Sequence, residues 1–447
     1  MFDLNIKNLE NGKSISSYEL GIMNQFEEVC KSFTDSTVVA RIAGGWVRDH
    51  VLGKENNDID IAIQGRKTSE FAERFKEMFP EAKIVTMKAN PKMSKYLDVS
   101  RICVDNKKGL WIDICQLRPD DLNHIDTEEG TPLSDACRRD YTINALFFNI
   151  NTRKLEDFVG GIQDIKNKII RTPIEPEKTF TDDPIRIIRG FRFAAKYDFK
   201  IDENVLEAIP KMKDMFRSSI SRDRLSQELL KALNEPDIIL VLDLIIKCKL
   251  FDIIFMPPET LDMNNFLENV KVALSRCKNT EYNLPVVCAV IYNDLYGKKV
   301  IGDKISVIRD MIVNKLRFSL KIMKDTKKII KAVHILPREM TRKNVGIWLR
   351  KIGPIWDKTD CLLFDKDTHE FYINTVLPFI EKENLTYVIN MKSLISGNEI
   401  AKLYEIKPGP KIAELINELI ILQIKNPNMT KEDYYEFAKN KKEKLQI

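Results

Sequence analysis

Asp58 and Asp60 stand two residues apart in Asn56-Asn57-Asp58-Ile59-Asp60-Ile61-Ala62-Ile63. Acidic and apolar residues alternate here as in a strand, and side chains at i and i+2 of a strand leave the same face. The pair therefore offers hard carboxylate oxygens side by side, the donor type that Mg²⁺ prefers. Upstream, Gly44 and Gly45 break an apolar run from Val38 to Ile42, and Trp46 to Leu52 follows with helical spacing. A glycine turn at a helix N-terminus exposes amides that favour phosphate. A phosphate cradle beside a two-carboxylate metal site suits nucleotidyl transfer, with Asp58 and Asp60 as metal ligands and catalytic residues. The plain alternative is a solvated turn between two strands. The apolar residues flanking each aspartate, which bury the opposite face, argue against it.

Two further stretches carry polar chemistry. In Leu133 to Ile150, Arg139 can hold a phosphate as a fork of donors. Asp140 can accept from a ribose hydroxyl. Asn144 lies one helical turn beyond, and an Arg-Arg-Asp at a helix entry is otherwise a cap with a solvated pair. In Phe180 to Phe193, Pro184 fits the first turn of a helix capped by Asp182 or Asp183. Asp183, Arg186, Arg189 and Arg192 then fall along one stripe at spacings of three, too many charges for a buried face. Cytosine and adenine both present an amino donor beside a ring-nitrogen acceptor. A carboxylate and a guanidinium can meet that pair, whereas uracil and guanine offer the reverse polarity. An unmet buried polar group costs about 1–3 kcal/mol, so Asp183 with Arg186 could select C and A without a nucleic-acid template.

The order of these motifs resembles a known family. GGWVRDHVLG followed by DIDIAI is similar to the signature of the class II tRNA nucleotidyltransferases, the CCA-adding enzymes of the DNA polymerase β superfamily. RRDYTIN resembles the family's ribose motif. FTDDPIRIIRGFRF resembles its template motif, usually Glu-Asp-x-x-Arg, with Asp182 in place of the leading glutamate. Arg189 and Arg192 resemble the arginines that reach the triphosphate and brace the site. NPKMSKYL, within a polar loop at Lys88 to Tyr96, is closer to the fungal and plant version, where a mobile loop takes part in switching from C to A addition. Family members commonly set a third acid on a strand beside the metal pair, which points to Asp113, with Asp98 behind it. ISRDRLSQELLKAL (220–233) resembles the last head–neck motif and reads as structural, a helix capped by Ser221 with Leu225, Leu229 and Leu233 on one face.

These residues need a mixed sheet and helices to hold them. Helical periodicity marks Tyr18 to Phe33 and Thr68 to Met78, while Ala82 to Met87, 97–104 and 110–118 read as strands. Glu156 to Thr172 is a glycine turn leading into an exposed connection. From Pro236 onward the pattern is helical, broken near Pro257-Pro258, Pro337 and Pro408-Gly409-Pro410. The expected architecture is an α/β head of polymerase β type followed by an all-α neck, body and tail. Its boundaries are a lead-in at 1–37, head at 38–172, neck at 173–245, body at 246–340 and tail at 341–447.

Composition narrows the class. A chain of 447 residues exceeds one hydrophobic core. A net charge of +5 with pI near 8.5 permits a nucleic-acid partner without demanding one. Four histidines without ligand spacing leave little for a histidine-based hydrolase, and eight scattered cysteines without a CxxC pair fit a reducing compartment. No run reaches a membrane span, and the N-terminus is neither a secretory signal nor an Arg-rich transit helix.

The resemblance implies stepwise addition of C, C and A from CTP and ATP to a tRNA 3′ end, with Mg²⁺ on Asp58 and Asp60. Gly44, Gly45 and Arg48 would receive the phosphates, Asp140 the ribose, and Asp183 and Arg186 the base. The tRNA acceptor end would enter between head and neck while the basic tail holds the elbow. The expected enzyme is a monomer of the cytoplasm and possibly the nucleus. The alternatives are a CC- or A-adding partial enzyme, the related poly(A) polymerase, whose basic signature after the DIDIAI strand is absent, or a catalytically silent tRNA-binding protein.

Overall fold

The computed structural model describes residues 4–87, 99–105, 109–119, 130–298, 306–407 and 409–444. The Lys88–Tyr96 loop and Asp98 lie outside the described residues. The chain divides into two compact units, Met1–Ile253 and Ile254–Ile447.

The first unit begins with α1 (Ile6–Glu10) and α2 (Ser17–Lys31). Ser16 and Glu19 form a reciprocal capping box that starts α2. Then come β1 (Val39–Ala43), α3 (Gly45–Val51), β2 (Asp60–Gln64), α4 (Thr68–Met78), β3 (Lys83–Met87), β4 (Val99–Asp105) and β5 (Leu110–Gln116). The buried stripe of α2 meets α4, with the Phe26 ring 5.7 Å from Phe71 and 5.0 Å from Phe75. After α5 (Pro132–Cys137) and a 3₁₀ turn at Thr142–Asn144 come β6 (Leu146–Asn149) and β7 (Lys154–Asp157). The seven strands form one mixed sheet in the order β3-β4-β5-β2-β1-β6-β7. Within it β2 and β5 run parallel, and their crossover contains α4 and the β3–β4 pair.

Two local expectations are corrected here. The strand carrying the carboxylates starts at Asp60, so Asp58 stands ahead of it. The Asp58 amide donates to Asn56 Oδ1 at 2.9 Å, a turn bond within the Asn56-Asn57 bend. The alternation survives nonetheless: Ile59 and Ile61 are buried, and Asp58 and Asp60 are exposed. The Arg138-Arg139-Asp140 run follows α5 instead of opening a helix, and the apolar run after it is the strand β6, paired with β1. A strand buried on both faces has no alternation to distinguish it from a buried helix.

The unit continues through α6 (Gly161–Asn167), β8 (Ile169–Ile170), α7 (Pro176–Asp182), α8 (Ile185–Tyr197), β9 (Lys200–Ile201), α9 (Glu203–Lys211), α10 (Lys213–Ser219), α11 (Arg222–Ala232) and α12 (Ile238–Lys247). β8 and β9 pair in parallel, and α8 packs on α11 and α12. Ser221 accepts from the Arg224 amide to cap α11, and Leu225, Leu229 and Leu233 are buried on its inner face.

The second unit is helical. Near its C-terminus Ile395, Ile400, Tyr404, Ile412, Leu415, Leu419, Tyr434 and Ala438 make a local core. No helix among the described residues is long and apolar enough to cross a membrane.

Candidate active site

The parallel pairing of β2 with β5 sets Asp60 directly opposite Asp113. Asp58 precedes Asp60 on the same side. Burial, then the negative charges of Asp58 and Asp113, push the Asp60 carboxyl up to about 6, against the pull of Arg139. Asp60 keeps an exposed surface although much of its surroundings is protein. Asp113 is also held by Arg101, whose Nε donates to Oδ1 at 2.5 Å. Among the described residues no group of three His, Cys, Asp or Glu side chains closes into a metal cage. Mutually repelling carboxylates with open positions fit a hard divalent cation that completes its shell with substrate oxygens and water.

Gly44 occupies φ 76°, ψ −120° at the N-cap of α3, a backbone region that favours glycine. A Cβ built there would lie 3.0 Å from Arg139 Nη1, so the missing side chain is the space the guanidinium needs. The Gly44 amide donates to Leu146 O at 3.1 Å and is thus committed to the sheet. A Cβ on Gly45 would face Asn56 Nδ2 and Arg48 Nη2. Arg48 also differs from expectation. It is 4% exposed, its Nε donates to Asp49 Oδ1 at 2.9 Å, and its Nη1 donates to Asn144 Oδ1. The rings of Tyr197 and Phe193 cover it, at 4.7 and 5.4 Å. Two of its donors are thus committed to Asp49 and Asn144.

The turn after α5 gathers the next group. Asp135, buried and held well below the usual carboxylate range by Arg118 and Arg139 in spite of that burial, takes Arg118 Nε at 2.5 Å and Arg139 Nε at 2.9 Å. Asp140 Oδ1 accepts from Asn144 Nδ2 at 3.0 Å, and Oδ2 accepts from Arg189 Nε at 2.7 Å. Burial works to raise the Asp140 carboxyl, but the Arg189 charge and the bonds from Asn144 and Arg189 bring it down to about 2. The Tyr141 hydroxyl donates to Arg186 O at 2.7 Å and lies where a Cβ on Gly190 would be. Gly190 thereby lets the turn seat directly on α8.

Asp183 is the joint between α7 and α8, whose N-cap is Pro184. Asp182 ends α7 and pairs with Arg138 at 3.2 Å. Asp183 Oδ2 accepts from Arg224 Nη2 at 2.7 Å. Arg186 donates through Nη1 to Thr179 O at 3.2 Å and through Nη2 to Arg138 O at 2.8 Å. Arg192 Nε donates to Glu228 Oε1 at 2.5 Å, tying α8 to α11.

Asp140, Asp183, Arg186 and Arg189 line one cleft of about 350 Å³. Arg139 lines it too, and its charge is also felt by Asp60, so the two ends of the site adjoin. Around the cleft stand Arg118, Arg139, Arg186, Arg189, Arg224 and Lys231 against Asp140, Asp183 and Glu228, an excess of positive charge suited to a polyanion. Sequence reasoning passed over Arg118, Arg224, Gln227 and Lys231. The signal was available in α11, where residues 224, 227, 228 and 231 recur at helical spacing opposite the leucines.

Comparison with known proteins identifies the family and the fold. A family described as "Poly A polymerase head domain" matches residues 40–171, and one described as "Probable RNA and SrmB- binding site of polymerase A" matches 198–263. The chain is 32% identical to tRNA nucleotidyltransferase cca1 of Schizosaccharomyces pombe, over 88% of this chain and 89% of that one. It is 28% identical to the mitochondrial CCA tRNA nucleotidyltransferase of Saccharomyces cerevisiae, over 88% and 86%. Its fold is that of the Thermotoga maritima CCA-adding enzyme solved with tRNA, at TM-score 0.70 and 21% identity over 98% of both chains.

Proposed function

The chain belongs to the tRNA nucleotidyltransferases, the CCA-adding enzymes, and we propose that the cleft and the adjoining carboxylates are where it adds C, C and A to a tRNA 3′ end. It is a nucleotidyltransferase, and its relatives have been solved with CTP and with ATP. The observation that carries the site assignment is the adjacency of Asp60, among like charges, to a basic cleft holding a fixed carboxylate and a guanidinium on the same short helix entry.

In this reading Asp58 and Asp60 would hold two Mg²⁺ ions, which when bound would stabilise the attacking and leaving oxygens of an in-line displacement. Arg139, beside Gly44, and Arg189 meet the triphosphate. Asp140, kept ionised, accepts from the ribose hydroxyl, and Asn144 and Arg48 hold that carboxylate in place. Asp183 accepts from the exocyclic amine of C or A while Arg186 donates to the ring nitrogen. Arg192 braces α8 through Glu228. The division into head 38–172, neck 173–245, body 246–340 and tail 341–447 belongs to this reading, with the acceptor end at the head and neck and the elbow on the tail. So does a monomer of cytoplasm and nucleus. The mitochondrial names of relatives from S. cerevisiae and Candida glabrata make mitochondria the competing location, which imaging of a tagged chain decides.

The test combines a substrate series with one variant. A tRNA lacking its 3′ end, given CTP, ATP or both, should gain two residues with CTP alone and three with both. Products that stop at two with both nucleotides, or a long A tail, would select the partial enzyme or the poly(A) polymerase. Asp60→Ala should abolish incorporation and leave tRNA binding nearly intact; retained incorporation overturns the metal assignment.

A further inference from the structure

Asp49 takes no part in the reading above, yet it is 4% exposed, and its carboxylate is held by the adjacent Arg48 and by Asn56 and Tyr197 from other parts of the fold. Oδ1 accepts from Arg48 Nε at 2.9 Å and from the Tyr197 hydroxyl at 2.8 Å. Oδ2 accepts from Asn56 Nδ2 at 2.7 Å. Asn56 in turn accepts the Asp58 amide on its Oδ1 at 2.9 Å. One carboxylate on α3 therefore grips both the loop that presents Asp58 and, through Tyr197, the last turn of α8, whose first turn reads the base.

The chemistry leaves this junction one arrangement. A carboxylate only accepts, so Asn56 must turn its NH₂ to Asp49 and its carbonyl to Asp58 N. Flipping the amide would set oxygen against oxygen at one end and N–H against N–H at the other. Arg48 donates to Asp49 and keeps the carboxyl below its ordinary value in spite of burial, so the acceptor stays ionised.

We infer that Asn56 is a positioning residue for the metal site, and that Tyr197, through the shared Asp49 carboxylate, holds the metal loop in register with the base-reading helix. This rests on Asp58 and Asp60 being the metal ligands. Asp49 itself is too buried to vary safely, so the test uses its two lighter partners in the full-length protein. Mn²⁺ binding is titrated by electron paramagnetic resonance, and the Mg²⁺ dependence of CTP addition is measured alongside, for wild type, Asn56→Ala, Tyr197→Phe, the double variant and Asp60→Asn.

The expected result is about tenfold weaker Mn²⁺ binding in Asn56→Ala and about threefold in Tyr197→Phe. In the double variant Tyr197→Phe should add nothing, because its route to Asp58 is already cut. The discrimination of CTP over UTP should be unchanged in Asn56→Ala. Wild-type Mn²⁺ affinity in Asn56→Ala, or an equal loss from Tyr197→Phe in both backgrounds, overturns the inference while Asp60→Asn still abolishes binding. Undiminished Mn²⁺ binding in Asp60→Asn would instead overturn the metal assignment, and this inference with it. A residue of merely structural weight would lower the unfolding temperature without moving the metal titration.

Discussion

Asp183 and Arg224, 41 residues apart, are joined at 2.7 Å on the wall of the cleft. The ion pair holds Oδ2 of the carboxylate that is proposed to meet the base. Arg224→Met should therefore relax discrimination against UTP, measured as the CTP-to-UTP ratio of kcat/KM. The loss should be about tenfold, smaller than for Asp183→Ala, which also removes the acceptor, an interaction worth about 1–3 kcal/mol. An unchanged ratio in Arg224→Met with a lower unfolding temperature would make the pair purely structural.

Asp60 carries a pH dependence with a definite sign. Its carboxyl is raised from the ordinary 3.8 to about 6. A raised carboxyl favours the folded state when protonated, so that contribution is whole below 3.8 and is lost as pH rises through about 6. In metal-free protein, Asp60→Asn should raise the unfolding temperature at about pH 7.5, by the equivalent of ~1 kcal/mol after solvent screening. The gain should vanish below about pH 4. Metal affinity of the wild type should weaken as pH falls through about 6, since the proton and the cation compete for one site.

Asp113 faces Asp60 across the β2–β5 ladder and contributes to raising it. Asp113→Asn should shift the midpoint of that metal–pH profile downward. If Asp113 is the third acid, it should also weaken Mn²⁺ binding more than tenfold at about pH 8, where the shift alone has no effect.

Asp140 is ionised down to about pH 2 because Arg189 and Asn144 hold it. Asp140→Asn should reduce the preference for CTP over dCTP by about fivefold or more, read from kcat/KM for the two substrates. Equal preference in variant and wild type would remove Asp140 from ribose selection.

Gly190 admits the Tyr141 hydroxyl against α8. Gly190→Ala should destabilise the full chain by about 1–3 kcal/mol in chemical denaturation, an overpacking cost. Adding Tyr141→Phe should recover part of it, because the nearest clashing atom, the hydroxyl, is removed along with a hydrogen bond worth about 1 kcal/mol, while the ring carbon that bore it still lies 2.6 Å from the added Cβ.

Local pattern alone determined a good deal of this protein. The glycine turn, the limits of α4, the alternation of Asp58 and Asp60 with buried isoleucines, the Ser221 cap and the helix bearing Arg186 are all written in neighbouring residues, because capping, periodicity and turn chemistry act over a few positions. The tertiary structure decided which of those groups meet. The Asp60–Asp113 register depends on a crossover of some fifty residues, and β6 could not be told from a helix because both its faces are buried. Arg48 looks in sequence like a phosphate ligand, and only the fold shows it buried with its donors on Asp49 and Asn144. Arg224 reaches Asp183 because α11 packs on α8, and Tyr197 reaches Asp49, 148 residues away, because the end of α8 meets α3. Spacing along a chain fixes which face a side chain leaves, but only folding brings a distant partner within the few ångströms over which a hydrogen bond acts.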